Sequence, residues 1–438
     1  MFSKILVANR GEIAIRIIRS CKEMGISTVA VYSTVDVESL HVALADQSIC
    51  IGEAVPSESY LLAERIVSAA LVTGAQAVHP GYGFLSESVE LAELCRKHGI
   101  GFIGPSPEVI AQMGDKDAAR RVMSEAGVPI VPGTGVLADV AEAEAAAEKI
   151  GYPVMIKARA GGGGKGIRIA NDRAELEKGF FTASKEALES FGDGALYLEK
   201  RISPAKHIEV QVMADEYGKV VCFAERECSI QKNNQKLVEE SPSPAVNEAL
   251  RKKLTETAIN AAVAVGYENA GTVEFILDDK GNFYFMEMNV RLQVEHGISE
   301  QITGIDMVKW QIRIAAGVPL NFSQRELAFT GSAIECRINA FQPGKVEFLH
   351  VPGGNRVRFD SALWTGYEVP PYYDSLLGKL IVHAGTREEA IRKMQAALCE
   401  LVIDGVPNNI DDQIGIISDD DFKKGDYYTD FFMNRGDA

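Results

Sequence analysis

The stretch Thr272-Val273-Glu274-Phe275-Ile276-Leu277-Asp278-Asp279-Lys280-Gly281-Asn282-Phe283-Tyr284-Phe285-Met286-Glu287 reads as two β-type runs around a tight turn. Centring the turn on Lys280 and Gly281 sets Glu274 directly opposite Glu287, with Cβ atoms about 5 Å apart. Two carboxylates so placed repel unless a cation lies between them. Hard oxygen ligands at that spacing suit Mg²⁺, which takes one or two carboxylates together with substrate phosphates. The second strand is expected to run on to Glu295, polar at Glu287, Asn289, Arg291, Gln293 and Glu295 and apolar at Met288, Val290, Leu292 and Val294. A period of two puts the five polar groups on one face. A solvated edge strand carries the same alternation. The acidic partner Glu274 and a glycine loop upstream favour instead a ledge with a metal–phosphate end and an anion-plus-base end.

That loop is Ala160-Gly161-Gly162-Gly163-Gly164-Lys165-Gly166, between two strand patterns. Glycines lack Cβ, so their backbone N–H groups can close upon phosphate oxygens, and four in a row suit a lid. It is not a P-loop, because Gly166 follows Lys165 and a strand rather than a helix comes next. Lys157 stands just before the loop and Lys116 follows Met113-Gly114-Asp115. Alone, either reads as a surface lysine.

Working outward, residues 1–112 alternate short apolar runs with helix patterns, as in Lys4–Ala8 followed by Glu12–Met24 ending at Gly25. This is βαβ patterning and predicts an open parallel sheet. The first loop lacks GxGxxG, so a dinucleotide site has no support. Residues 113–330 hold the lysines, the glycine loop with its flanking segment at about 131–203, and the hairpin, while 331–438 mix strands with a helix at Arg387–Leu401. A chain of 438 residues needs several lobes. Net charge is −16 with no basic stripe, which argues against nucleic acid. No apolar run is long enough to span a membrane, and the chain opens directly in a strand without a secretory pattern. Seven cysteines without CxxC spacing are expected to be reduced thiols of a cytoplasmic protein.

Several longer motifs make the chain recognisable. They are Ala8–Ala14, His79–Glu87, Met113–Lys116, Gly161–Gly166, Glu225–Gln231, Asn234–Lys236, Glu287–His296, Glu335–Asn339 and Pro370–Ser375. Together they resemble the biotin carboxylase family of the ATP-grasp superfamily, over essentially the whole chain. The resemblance implies an α/β (α+β) ATP-grasp fold. It would have a Rossmann-like N-terminal domain, a glycine-loop lid and a mixed α/β C-terminal domain. It further implies that Lys116 and Lys157 bind phosphates, that Gly163 and Gly164 belong to the lid, and that Glu199, Lys200 and Ile202 hold adenine. His207, Gln231 and Asn234 are implied nucleotide contacts. Glu274, Glu287 and Asn289 are the implied ligands of Mg²⁺ or Mn²⁺. Lys236, Arg291, Gln293 and Val294 match the bicarbonate pocket, Glu295 is similar to the general base, Arg337 to the residue that steadies the biotin enolate, and Tyr82 to a biotin-pocket residue.

The implied activity is ATP- and bicarbonate-dependent carboxylation of biotin through carboxyphosphate. An opposite charge, expected from Arg291, would keep Glu295 ionised. No Ala-Met-Lys-Met motif is present, so biotin is expected on a separate carboxyl carrier protein, with carboxyltransferase subunits as further partners. Acetyl-CoA carboxylase, feeding malonyl-CoA and fatty acid synthesis, is the expected complex. A pyruvate or other acyl carboxylase, or a carboxylate–amine ligase of the same superfamily, is the alternative. The resemblance also implies a homodimer with contacts near Arg16 and Phe359. The chain departs from the family pattern at Val290 (usually Thr), at Gly297 (usually Pro, so that the backbone after the base is expected to loosen), at Asn234, and in the shortened segment Ala340–Lys345 beside Arg337.

Overall fold

The structure, a computed structural model, describes residues 1–159, 167–233 and 235–433. At the N-terminus, β1 (Lys4–Val7), β2 (Ser27–Ser33), β3 (Gln47–Gly52), β4 (Ala77–His79) and β5 (Gly101–Phe102) form a parallel sheet in the order β3-β2-β1-β4-β5. Successive residues of β1 feed opposite cores. Ile5 and Val7 pack with Ile13, Ile17 and Ile18 of the helix Gly11–Glu23, while Leu6 packs with Ile66 and Val67 of the helix Ala63–Thr73. Burial on both faces is why β1 reads as a continuous apolar run. Gly25 ends the first helix with φ +71° and Ile26 N–H bonded back to the Cys21 carbonyl at 2.9 Å, as its glycine predicts.

The next unit is a small antiparallel sheet, β6 (Val154–Ala158), β7 (Ile167–Ala170) and β8 (Leu196–Lys200) in the order β7-β6-β8. It packs against the helices Val140–Ile150 and Arg173–Phe191 around a core of its own, including Ala143, Ala147, Leu176 and Phe180.

The site is built on an antiparallel sheet of eight strands, β9 (Ala205–Ala214), β10 (Val220–Lys232), β11 (Gln235–Ser241), β12 (Asn269–Asp278), β13 (Phe283–Asn289), β14 (Ser332–Asn339), β15 (Val357–Ser361) and β16 (Leu376–Ala384). Their spatial order is β13-β12-β9-β10-β11-β14-β16-β15, so one sheet carries strands from both sides of residue 330. Its two faces differ. Ile208, Val210, Val273 and Phe275 pack on Leu254, Ala258 and Ala261 of the helix Glu248–Ala264. The opposite face presents His207, Glu209 and Gln211, with Glu274 paired to Glu209 and Thr272 to Gln211. The helix His296–Thr303 covers part of this polar face through Ile298 and Ile302, which meet Ala333 and Ile381.

Two expectations need correction. The hairpin register does set Glu274 opposite Glu287, but the turn is not centred on Lys280 and Gly281. The Asp278 carboxylate accepts the Lys280 and Asn282 N–H groups, and the loop is one residue longer. A bulge at Met286, between the pairs Phe275–Phe285 and Glu274–Glu287, restores the register. Second, the strand stops at Asn289; the chain then bends, turns at Val294-Glu295 and enters the helix at His296. Gly297 is buried in that helix's first turn, where a Cβ would come within 2.4 Å of Ile381 Cδ1.

All seven cysteines are unpaired, as expected. Among the described residues no helix is long and apolar enough to cross a membrane.

Candidate active site

The polar ledge runs across strands rather than along one. Glu274 on β12 is its centre. Its Oε1 accepts from Asn289 Nδ2 (2.8 Å), Gln293 Nε2 (2.7 Å) and Lys236 Nζ (3.1 Å), and its Oε2 lies 3.0 Å from His207 Nε2. Lys236 also reaches Glu209 (2.6 Å) and Glu295 Oε1 (2.7 Å), so one ammonium joins three carboxylates. Glu295 Oε2 accepts from Arg337 Nη2 at 2.9 Å, and Arg337 Nε donates to Glu239 at 2.6 Å. Thus Glu295 is held by Lys236 and Arg337, not by Arg291 as expected. Arg291 instead donates to Asn289 Oδ1 (2.9 Å) and pairs with Glu87 (3.2 Å).

Electrostatics follow from this wiring. Burial opposes the charge on Glu295, but Lys236, Arg337 and Arg226 more than offset it and hold its carboxyl well below the usual range. Glu274 is depressed in the same way against burial, by Lys236 and His207. Glu287 behaves oppositely. Burial and the facing Glu274 push its carboxyl up, against Lys116. That repulsion is what a divalent cation would relieve. The oxygens of Glu274, Glu287 and Asn289 are a donor set that Mg²⁺ accepts, so these residues fit the ion.

Two cavities meet at Arg291. The larger, about 590 Å³, is lined by Lys116, Lys157, Glu199, Lys200, Ile202, Glu287 and Asn289, with Arg291 at its edge. Within it Lys157 Nζ pairs with Glu199, which also takes Arg120 at 2.6 Å. Lys200 Nζ is turned to the Gly151 and Tyr152 carbonyls, 2.8 Å each. The smaller, about 380 Å³, is lined by Tyr82, Lys236, Arg291, Val294 and Arg337. His207 and Gln231 are not among the residues that line either cavity; they are joined to each other through His207 Nδ1 at 2.7 Å. Gly163, Gly164 and Asn234 lie outside the described residues. The shortened segment is tied down beside the smaller cavity, with Ala340 N–H on the Ser375 carbonyl (2.8 Å) and Phe341 N–H on that of Pro407 (2.8 Å).

Sequence reasoning missed Glu209 and Arg226. Arg226 is fully buried and donates to Glu209, to Gln211 (2.8 Å), to Ser299 (3.0 Å), to Thr272 (3.1 Å) and to Gln293 Oε1 (2.8 Å). The alternation His207-Ile208-Glu209-Val210-Gln211 was the available signal for the first of them.

Family models match most of the chain. Residues 1–110 match "Biotin carboxylase, N-terminal domain", 115–323 "Carbamoyl-phosphate synthase L chain, ATP binding domain" and 335–434 "Biotin carboxylase C-terminal domain". Biotin carboxylase 1 of Bacillus subtilis (strain 168) is 49% identical over 441 residues, covering 98% of each chain. Among solved structures, the biotin carboxylase domain dimer of the Hydrogenobacter thermophilus 2-oxoglutarate carboxylase, in complex with MgADP, ADP and bicarbonate, has a TM-score of 0.95. Identity there is 50%, and the match covers 100% of this chain and 98% of that one. A biotin carboxylase–beta-gamma-ATP complex from Campylobacter jejuni gives a TM-score of 0.96 at 47% identity, covering 99% of each. With three family models in chain order and near-half identity over the full length, the chain belongs to the biotin carboxylase family of ATP-dependent ligases, with the ATP-grasp fold.

Proposed function

We propose that the chain uses ATP and bicarbonate to carboxylate biotin carried on a separate protein, by way of carboxyphosphate. The observation that carries this reading is Glu295, buried between Lys236 and Arg337 beside two adjoining cavities.

Bicarbonate is a poor electrophile and needs activation. An anion held by Lys236 and Arg291 competes for the cations that depress Glu295, so the proton affinity of Glu295 rises as bicarbonate arrives. Glu295 then takes the bicarbonate proton while the oxygen attacks the γ-phosphorus of ATP, the β,γ-phosphoanhydride bond breaks, and ADP leaves with carboxyphosphate as the product. Mg²⁺ held by Glu274, Glu287 and Asn289 would supply neutralisation of the charge on the phosphates. Lys116 and Lys157 face the same phosphates from the larger cavity, Lys157 exchanging Glu199 for a phosphate oxygen. Glu199, Lys200 and Ile202 bound the adenine side, and His207 and Gln231 brace Glu274. Gln293 and Val294 line the bicarbonate position. Carboxyphosphate breaks at its C–O bond into CO₂ and phosphate, the phosphate takes the proton from biotin N1, and N1 bonds to the CO₂; in the smaller cavity beside Tyr82, Arg337 stabilises the oxyanion formed on the way, and the Glu239 carboxylate fixes the guanidinium for that task.

Biotin carboxyl carrier protein and carboxyltransferase subunits are the proposed partners, in an acetyl-CoA carboxylase of the cytoplasm. The half-identical 2-oxoglutarate carboxylase domain supports a second reading, a 2-oxo acid carboxylase. Adding carboxylated carrier to each transferase with acetyl-CoA, pyruvate or 2-oxoglutarate decides between them. The dimer of that relative likewise supports a homodimer here, through the open cleft that contains Arg16 and Phe359.

The test of the reaction is bicarbonate-dependent ATP hydrolysis with and without free biotin. Biotin should stimulate the wild type, and Glu295→Ala should lose ~10²-fold or more, the scale of a missing general base. Lys236→Ala should also be impaired. Equal rates in all three proteins contradict the site, and stimulation by an amine but not by biotin points to a carboxylate–amine ligase.

A further inference from the structure

We propose that Lys379 is a positioning residue of this reaction, one that fixes the Val294-Glu295 turn; the proposal rests on the reading of Glu295 as the base.

Lys379 is a fully buried lysine on β16, standing behind the wall of the smaller cavity rather than in it. Its ammonium meets three parts of that wall. It donates to the Val294 carbonyl at 2.7 Å, lies 3.2 Å from Glu12 Oε1, and sits 5.7 Å from the centre of the Tyr82 ring. Glu12, Tyr82 and Val294 all line the cavity. One Nζ therefore ties the first turn of the helix Gly11–Glu23, the aromatic wall and the residue before the base to a central strand. The strand itself is held on both sides, Lys379 pairing with Arg337 of β14 and Asp360 of β15.

The turn needs such an anchor. Glu295 occupies the N-cap position of the helix His296–Thr303, but its side chain caps nothing, because Lys236 and Arg337 engage it. A neutral side chain in place of Lys379 would leave the half-buried Val294 carbonyl and the buried Glu12 carboxyl without this partner, and the turn free to move. A shift of about 1 Å in a catalytic group is enough to slow chemistry by up to ~10²-fold. None of the three contacts touches the larger cavity, so nucleotide affinity should not share the loss.

The experiment compares Lys379→Met and the double variant Lys379→Met/Glu12→Gln with the wild type, in biotin-stimulated, bicarbonate-dependent ATP hydrolysis and in thermal unfolding. Lys379→Met should lower kcat by ~10-fold or more with KM for ATP unchanged. The double variant removes both members of the Lys379–Glu12 pair together, so its Tm should recover toward wild type while kcat stays low. Wild-type turnover in either variant, a rise in KM for ATP in step with the loss of kcat, or recovery of kcat along with Tm in the double variant would each overturn the assignment. A wild type without bicarbonate-dependent hydrolysis refutes the function itself, a result distinct from all of these.

Discussion

His79 of the N-terminal parallel sheet and the ledge residues of the eight-stranded sheet are all buried, with opposite results. His79, at the end of β4, is fully buried, and burial together with the Arg16 charge pushes its imidazole down to about 3, so it stays neutral. At the eight-stranded sheet burial also opposes charge, yet Lys236, Glu274 and, on the adjoining turn, Glu295 remain ionised because each meets opposite charge within 3.1 Å. Desolvation is common to both sheets, and partners decide the outcome. The parallel sheet is stabilised by apolar surface, at about 1.5–3 kcal/mol per large side chain. The antiparallel sheet retains a charged layer, the layer on which the proposed chemistry rests.

The sharpest way to break this contrast is Arg226→Met. Removing a fully buried guanidinium leaves Glu209, Gln211 and Gln293 short of a donor, and about 3–5 kcal/mol of stability should be lost in urea unfolding. A loss below about 1 kcal/mol would mean that the charged layer is not interlocked. Glu287 is the intermediate case, opposed by Glu274 and facing the cleft. Glu287→Gln should raise the Mg²⁺ concentration for half-maximal activity about ten-fold, equivalent to about 1.4 kcal/mol, and leave the fold intact. An unchanged Mg²⁺ requirement would remove Glu287 from the ligand set. The smallest effect concerns His79. Its folded pKa lies below the unfolded value of about 6.5, so the folded state binds fewer protons and stability is lost as pH falls from about 6.5 toward 3. In His79→Gln that loss is absent. Between pH 7 and pH 5.5 the wild type should therefore lose about 1 kcal/mol more than the variant in paired urea titrations. Equal losses would place a charge on His79 in the folded protein.

Much of the fold was legible because its signals are local. The run Lys4–Val7, the glycine that ends the first helix and the paired runs about Asp279–Asn282 each report on residues close in sequence. The Glu274–Glu287 pairing was reached through a turn of the wrong length, and it held because the bulge at Met286 cancels the extra loop residue. The continuation to Glu295 failed for a different reason. Buried Val290 and Leu292 keep the period of two after the backbone has left the strand, so alternation alone does not mark where pairing stops. Arg226 was invisible for a third reason. Its partners come from β9, β12, the turn before His296 and the helix after it, and only the assembled sheet brings them together.

The central claim is that Glu295, set between Lys236 and Arg337, activates bicarbonate for transfer to biotin. Its most direct test is ATP-dependent transfer of labelled carbon from bicarbonate to free biotin, wild type against Glu295→Gln, which keeps the side chain's shape. Label should reach biotin with the wild type and fall by ~10²-fold or more in the variant. Equal label in both proteins, or none in the wild type at saturating ATP, would contradict the account.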